Sequence, residues 1–215
     1  KIFCFSTITS MIIMLSMVGP ALLIPLYVQN ALGLSALLSG LVIMPGAIIN
    51  GIMSVFTGKF YDKYGPRPLI FTGFILLISC TFLLCFLKVD TSYTYLIVIY
   101  AIRMFAVSLL MMPINTTGIN ALKTKDISHG TAIMNFGRVM AGSLGTALMV
   151  TFMSIGAQWV VSSSEHASKE MIQRQSVAVG VDVSFALVTV FVIIAFVLAL
   201  FIKEPNHSTH NSRKV

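Results

Sequence analysis

The chain has 215 residues, of which 57% are hydrophobic and only 10% are charged, and its formal net charge is +7. An ordinary soluble domain carries about 25% charged residues, so this composition excludes a domain that covers its surface with charges facing water. The basic residues are not clustered and interleaved with aromatic residues, which argues against a nucleic-acid partner. We therefore expect membrane lipid, and no nucleic acid, among the partners of this chain.

Long uncharged stretches predict helices that cross a membrane. Residues 2–58 contain no Asp, Glu, Lys or Arg, and roughly 20 apolar residues suffice for a helix to cross a bilayer. Six apolar stretches follow one another along the chain, which predicts an all-α polytopic membrane protein, a bundle of six transmembrane helices. The predicted spans cover about 3–28, 35–57, 68–87, 92–113, 130–155 and 183–202.

Prolines and polar residues distinguish four of these spans from the other two. The third and sixth spans are bulky and aliphatic almost all round, which is typical of helices that face acyl chains. The first, second, fourth and fifth spans must face protein or a water-filled cavity, because freed backbone groups and polar side chains need partners there. The residues concerned are Gly19, Pro20, Pro25, Pro45, Asn50, Arg103, Pro113, Asn135 and Arg138.

The stretch GKFYDKYGPRPL, residues 58–69, brings three basic residues, one acid, two glycines and two prolines into one predicted turn between the second and third spans. Gly58 is suited to a close approach of two helices. Asp62 is suited to accept hydrogen bonds from a helix N-terminus, and Arg67 to clamp the turn.

Arg103 stands twelfth in the fourth predicted span, near the bilayer midplane. An unpaired Arg at that depth costs about 2.5 to 3.5 kcal/mol on insertion scales. All seven acidic residues are predicted to lie in loops, in the tail or at helix edges, so no acid within a span is expected to pair with it. Its partner is then a backbone carbonyl at a proline-broken turn, a bound substrate, or a carboxylate on another part of the protein.

Small residues recur every four positions in the fifth span, at Gly137, Ala141 and Gly145. Residues of this size and spacing allow two helix backbones to approach closely. We interpret them as a helix packing face rather than as a site of substrate contact.

The connections predict the orientation of the bundle. Of the 14 Lys and Arg residues, nine fall on one side of the predicted spans and three on the other, and Arg103 and Arg138 lie within spans. Because cytoplasmic loops hold the excess of basic residues, both ends of the chain are expected to be cytoplasmic. The polar stretch 157–182 is predicted to be an external loop, whose middle is suited to a short surface helix because Glu165, Lys169 and Glu170 stand at helical spacing. Residues 203–215 are predicted to be a disordered cytoplasmic tail.

Cysteines and histidines give no sign of a metal centre or an enzyme site. Cys4, Cys80 and Cys85 lie inside apolar stretches, at a spacing that fits neither a disulfide framework nor zinc. The four histidines are dispersed, without the His, Asp or Cys cluster that a lipid-modifying membrane enzyme would need at the membrane surface. We expect no metal, no cofactor and no enzymatic activity.

Three motifs in order resemble the major facilitator superfamily. Gly58, Asp62, Gly65 and Arg67 take the positions of that family's signature turn. The stretch RMFAVSLLMMPINTTGINAL, residues 103–122, looks like its Arg-bearing helix, in which Arg103, Pro113 and Asn115 occupy the matching places. The stretch GTAIMNFGRVMAGSLGTAL, residues 130–148, is similar to the next helix of fourteen-span bacterial drug:proton antiporters.

The resemblance implies that this chain is the C-terminal half of a multidrug efflux transporter in the bacterial cytoplasmic membrane. Such transporters export hydrophobic, often cationic compounds by alternating access, driven by the proton gradient, and need an N-terminal helix bundle as partner. Because no acid is predicted within these spans, the proton-carrying carboxylate is expected in that partner half. The expected gating loop is Gly58, Asp62, Gly65 and Arg67, and the expected pathway residues are Met14, Met17, Tyr27, Met44, Asn50, Arg103, Met111, Met112, Pro113 and Asn115.

Other readings remain open from the sequence. Within transport, the alternative is a carrier of the same superfamily for a sugar or another metabolite, which export of dyes against inward sugar flux would distinguish. Outside transport, the alternatives are the membrane enzyme considered above and a scaffold or receptor that moves no solute.

Overall fold

The computed structural model describes residues 2–163 and 169–201, which form six long α-helices joined by short connections. All six are long and apolar enough to cross a membrane, so the predicted all-α bundle of six membrane helices is confirmed. The helices are α1 Ile2–Asn30, α2 Ala36–Tyr64, α3 Pro66–Leu83, α4 Tyr93–Asn120, α5 Ile127–Ser163 and α6 Lys169–Leu200. Short 3₁₀ turns follow α3 and precede α5.

The connection between α2 and α3 is a single residue, Gly65, rather than a turn that begins at Gly58. Gly58 and Asp62 both lie in the last turns of α2. One helical Gly costs only about 1 kcal/mol, which is too little to end a long helix. Gly65 has φ 79°, a conformation that favours glycine, and its N–H donates to the Tyr61 carbonyl at 2.9 Å. Pro66, which has no N–H to leave unpaired, begins the next helix.

Most of the predicted external loop 157–182 is helical, which is more helix than the short surface helix expected in its middle. α5 runs to Ser163 and α6 begins at Lys169, while residues 164–168 and the predicted tail 203–215 lie outside the described residues. The stretch 169–182 contains no Pro and is rich in Lys, Glu, Met, Gln and Arg, which are good helix formers. Lower hydropathy therefore does not end either helix. α4 likewise continues past Pro113 to Asn120.

Asp182 consequently lies inside α6, which corrects the prediction that every acid lies in a loop, in the tail or at a helix edge. The Asp182 side chain is half-buried. Its Oδ1 accepts a hydrogen bond from the Leu87 backbone N–H at 3.0 Å, which ties α6 to the connection between α3 and α4. In the same connection, the Lys88 carbonyl accepts a hydrogen bond from the Tyr27 hydroxyl of α1 at 2.5 Å.

α1 contacts four of the other five helices, α2, α4, α5 and α6. Its most extensive contact is with α5, where the small-residue face predicted from the sequence lies. A Cβ added at Gly145 would lie 2.7 Å from Leu15 Cγ, and one added at Gly137 would lie 3.0 Å from Met11 Sδ. Ala141, between them on the same face, is also buried. The structure thus places Gly137 and Gly145 at the α1–α5 crossing, with Ala141 buried between them.

A second close crossing joins α5 to α6 and was missed in the sequence. A Cβ added at Gly156 would lie 2.8 Å from Gly180 Cα. The Ser184 hydroxyl donates across the crossing to the Met149 carbonyl at 2.9 Å. The signal was present, because Ser176, Gly180 and Ser184 recur every four residues, as the residues of a close helix crossing do.

The least covered helices are α2 and α5, and not α3 and α6 as the aliphatic sequences suggested. In the most apolar window of each span, 17% of the residues are buried in α2 and 28% in α5, against 44% in α3 and 39% in α6. Aliphatic side chains do not distinguish contact with lipid from contact with another helix, and α6 packs against α1, α3 and α5.

Replacing Gly145 with Ala should destabilise the bundle, because the new Cβ would lie 2.9 Å from the Leu15 backbone, which has little room to move. Overpacking of this kind costs about 1–3 kcal/mol. Gly40→Ala is the matched control, because a Cβ at Gly40 meets nothing within 4 Å, and the added helix propensity should leave stability equal or higher. Thermal unfolding of the purified full-length protein in detergent measures both. Equal effects of the two substitutions would contradict the close α1–α5 crossing.

Replacing Asp182 with Ala should lower the free energy of unfolding by about 1–2 kcal/mol, because the buried Leu87 N–H loses its acceptor. Asp182→Asn keeps an oxygen acceptor at the same place and should retain most of the stability. The same thermal unfolding measurement compares the two variants. A loss of stability in Asp182→Asn as large as that in Asp182→Ala would show that charge, and not the hydrogen bond, is what the site requires.

Candidate functional site

A cavity of about 420 Å³ lies between α1, α2, α4 and α5. Its volume is within the range of small-molecule sites in proteins. Methionine, amide and hydroxyl side chains make up most of its lining, together with one Arg. The lining residues are Met14, Met17, Asn50, Ser54, Val107, Ser108, Met111, Met112, Asn115, Thr116 and Arg138.

Six of the predicted pathway residues meet in this cavity although they come from three helices. Met14 and Met17 come from α1, Asn50 from α2, and the other three from α4, namely Met111, Met112 and Asn115. Methionine side chains are flexible and polarizable, so they adapt to apolar ligands of different shape. The cavity therefore offers a soft apolar wall with a few fixed polar groups.

The other four predicted pathway residues do not line this cavity. Tyr27 is fully buried, and its hydroxyl is bonded to the Lys88 carbonyl in the connection between α3 and α4. Met44 is 54% exposed on the outside of α2. Arg103 and Pro113 are buried within the bundle. Helical spacing alone did not separate residues that face the cavity from those that pack behind it.

Two amide side chains hold the helices around the cavity. The Asn50 amide nitrogen donates to the Met104 carbonyl at 3.1 Å, which joins α2 to α4. The Asn115 amide oxygen accepts from the Ser10 hydroxyl at 3.0 Å, which joins α4 to α1. Both bonds cross between helices, so they fix the positions of the amides relative to the methionine wall.

Arg103 binds a backbone carbonyl that a proline has left without its helical donor. Its side chain is fully buried, and its Nη2 donates to the Ser16 carbonyl of α1. In an α-helix, that carbonyl would accept from the N–H four residues on, but residue 20 is Pro and has no N–H. Among the partners considered from the sequence, the structure thus shows the carbonyl at a proline-broken turn. Arg103 joins α4 to α1 inside the bundle.

Arg138 is the charged residue among the five lining residues that the sequence analysis did not assign to the pathway; the other four are Ser54, Val107, Ser108 and Thr116. It lies on α5, is half-buried and lines the cavity. Its Nε is buried and has no hydrogen-bond partner among the described residues. The signal in the sequence was a charged residue within an apolar span, which by itself marks a functional-site candidate.

The predicted gating loop touches the cavity at one point. A Cβ added at Gly58 would lie 3.2 Å from Cε of Met112, so α2 passes close to a cavity residue of α4 there. Asp62 and Arg67 are exposed. Within the described part of the chain, neither makes a hydrogen bond or ion pair, so the expected clamp of the turn is not seen there.

The six apolar membrane helices agree with the family that a comparison with known proteins identifies. Residues 2–146 match the sequence pattern of the Major Facilitator Superfamily. The chain belongs to the Major Facilitator Superfamily. The resemblance inferred from the motifs is confirmed.

Several relatives of this chain are named for drug resistance or export. The lincomycin resistance protein LmrB of Listeria monocytogenes is 38% identical over 183 residues, which cover 85% of this chain and 39% of the relative. LmrB of Bacillus subtilis is 34% identical over 202 residues, or 94% of this chain and 42% of that protein. The multidrug export protein EmrB of Escherichia coli is 28% identical over 134 residues, or 62% and 26%. The chain spans about two fifths of the length of the two LmrB proteins it matches.

The hydrogen bond from Arg103 to the Ser16 carbonyl can be tested with a double-mutant cycle. Arg103→Met should destabilise the protein by about 1–3 kcal/mol, because the Ser16 carbonyl loses its donor. In a Pro20→Ala background the residue at position 20 has an N–H for that carbonyl, so Arg103→Met should cost less. Thermal unfolding of the four full-length variants gives the coupling, expected at about 1 kcal/mol. Additive effects would show that the two residues do not share this carbonyl.

Proposed function

We propose that this chain is the C-terminal half of a bacterial transporter that exports hydrophobic or cationic drugs in exchange for protons, by alternating access. The observation that carries the proposal is the methionine-walled cavity between α1, α2, α4 and α5, whose volume of about 420 Å³ suits part of a drug-sized molecule. The names of the relatives, lincomycin resistance protein and multidrug export protein, support drugs as the substrate class.

The partner proposed for this half is a second, N-terminal bundle of the same transporter. α2 and α5, which flank the cavity, expose large apolar side chains, such as Val55 at 67%, Phe136 at 68% and Val139 at 66%. Lipid can cover such faces, but a transport pathway needs a second wall opposite the cavity. The length of the relatives, of which this chain matches about two fifths, leaves room for that second bundle.

Proton coupling requires a group that binds and releases a proton during the cycle. The described lining of the cavity contains no Asp or Glu. Asp182 is within α6, but it contacts the connection between α3 and α4 and belongs to a different cavity. We therefore assign the coupling carboxylate, and any carboxylate that recognises cations, to the N-terminal half, with the proton gradient as the energy source and no cofactor.

The proposed location is the bacterial cytoplasmic membrane, with both ends of this chain in the cytoplasm. The basic residues near the α2–α3 connection, Lys59, Lys63 and Arg67, support this orientation because cytoplasmic connections hold the excess of Lys and Arg. Gly58, beside Met112, links this connection to the cavity and suits the role of a gating loop. Superfamily members are transporters, and we propose no enzymatic step for this chain.

A sugar or metabolite carrier is the alternative within the same superfamily. Four methionines line the cavity of this half, and three of its six polar side chains, Asn50, Ser54 and Asn115, already make hydrogen bonds within the bundle, so few polar groups are left for a polyol. This lining favours apolar substrates over sugars.

Export is tested with the full-length transporter in a bacterial strain that lacks its own major efflux pumps. Cells that express it should accumulate less lincomycin and less rhodamine 123 than cells with an empty vector, and a protonophore should abolish the difference. Met111→Ala should reduce export several-fold by shrinking the apolar wall, whereas Ile75→Ala, an exposed truncation on α3, should not. Unchanged accumulation of both compounds, or inward sugar flux, would contradict the proposed function.

A further inference from the structure

Two arginines, Arg103 and Arg138, lie in the interior of the described membrane spans, whereas Arg67 and Arg174 lie near the start of theirs. The two interior arginines have different surroundings. Arg103 is fully buried inside the bundle, where its Nη2 donates to the Ser16 carbonyl and its Nε and Nη1 have no hydrogen-bond partner among the described residues. Arg138 is half-buried and lines the cavity, where it is the one charged residue among the lining residues that the structure describes. The guanidinium of Arg103 therefore has a protein partner, whereas that of Arg138 borders the space that a ligand would occupy.

The described lining offers Arg138 no anionic partner. No Asp or Glu lines the cavity, and Arg138 Nε is buried without a hydrogen-bond partner among the described residues. The two amides of the lining are already engaged in other bonds, Asn50 with the Met104 carbonyl and Asn115 with the Ser10 hydroxyl. A guanidinium has only donors, so it needs an acceptor when it is placed in an apolar environment.

We propose that Arg138 binds an anionic group of the substrate, and that this half of the pathway accepts amphipathic organic anions. A carboxylate or phosphate group accepts two parallel hydrogen bonds from one guanidinium, which gives both strength and orientation. The apolar body of the same molecule packs against Met14, Met17, Met111 and Met112. This inference rests on the proposed function and extends its substrate class to amphipathic anions, which Arg138 attracts, whereas it disfavours a cation placed beside it.

The experiment uses the full-length transporter and two dyes that share one tricyclic scaffold, the anion fluorescein and the cation rhodamine 123. In cells that lack other efflux pumps, the wild type should export fluorescein. Arg138→Gln should reduce fluorescein export at least about tenfold, because hydrogen bonds between charged groups are lost. Rhodamine 123 export should stay unchanged or rise. Arg138→Lys keeps the charge but not the paired geometry, so its fluorescein export should lie between those two.

Lys88→Gln is the matched control, because it removes one positive charge at an exposed position outside the cavity. It should change the export of neither dye. Size-exclusion profiles after heating show whether each variant is folded, and Arg138→Lys retains the test if Arg138→Gln fails to fold.

The outcomes separate this inference from the proposed function. A wild type that exports rhodamine 123 but not fluorescein would overturn the inference and leave drug export standing. A parallel loss of both dyes in Arg138→Gln would also overturn it, since it would indicate that Arg138 pairs with a carboxylate of the N-terminal half. A wild type that exports neither dye, and does not lower lincomycin accumulation, would overturn the proposed function itself.

Discussion

The bond between Arg103 and the Ser16 carbonyl is the interaction on which the centre of this bundle depends. Inside a bilayer, water does not compensate a backbone carbonyl that has lost its donor, and a buried guanidinium without an acceptor is costly for the same reason. Pro20 creates the first problem in α1 and Arg103 creates the second in α4. Arg103 supplies the donor that the Ser16 carbonyl lacks, and that carbonyl supplies one acceptor to the guanidinium. α1 and α4 are therefore held together by two residues, Pro20 and Arg103, that would each be unfavourable alone.

The polar groups in and near the cavity fall into two kinds. Arg103, Asn50 and Asn115 all bond across from one helix to another, and α4 takes part in every one of these bonds. They position the helices. Arg138 makes no such bond among the described residues through its buried Nε. The same residue type therefore serves packing in one span and faces the cavity in another, and the surrounding helices decide which.

The sequence was sufficient for the number and type of the helices, because uncharged stretches of this length have few alternatives to a membrane span. It was poor at their ends. Gly58 does not end α2, and the polar residues after Lys169 are helical and form the first part of α6. Hydropathy indicates where a helix can contact lipid, and not where its backbone hydrogen bonding stops. For the same reason Asp182 was misplaced in a loop. Within the site, the methionines of α1 and α4 were found, but Tyr27 and Met44 were not distinguishable from them, because several faces of these helices carry apolar residues.

The two helices with the least covered surfaces are also those that bring the most specific features to the cavity. α5 carries Arg138, and α2 carries Gly58, which lies against Met112 near the one-residue connection at Gly65. In the proposed transporter, the partner bundle would cover these same surfaces and would exclude water from the cavity when it closes. The strength of any ion pair at Arg138 would then depend on closure, because a guanidinium attracts an anion far more strongly in a dry site than in an open one. Closure of the halves and retention of an anionic substrate would thus reinforce each other, while packing of α1 against α5 through small residues would let this half move as one unit.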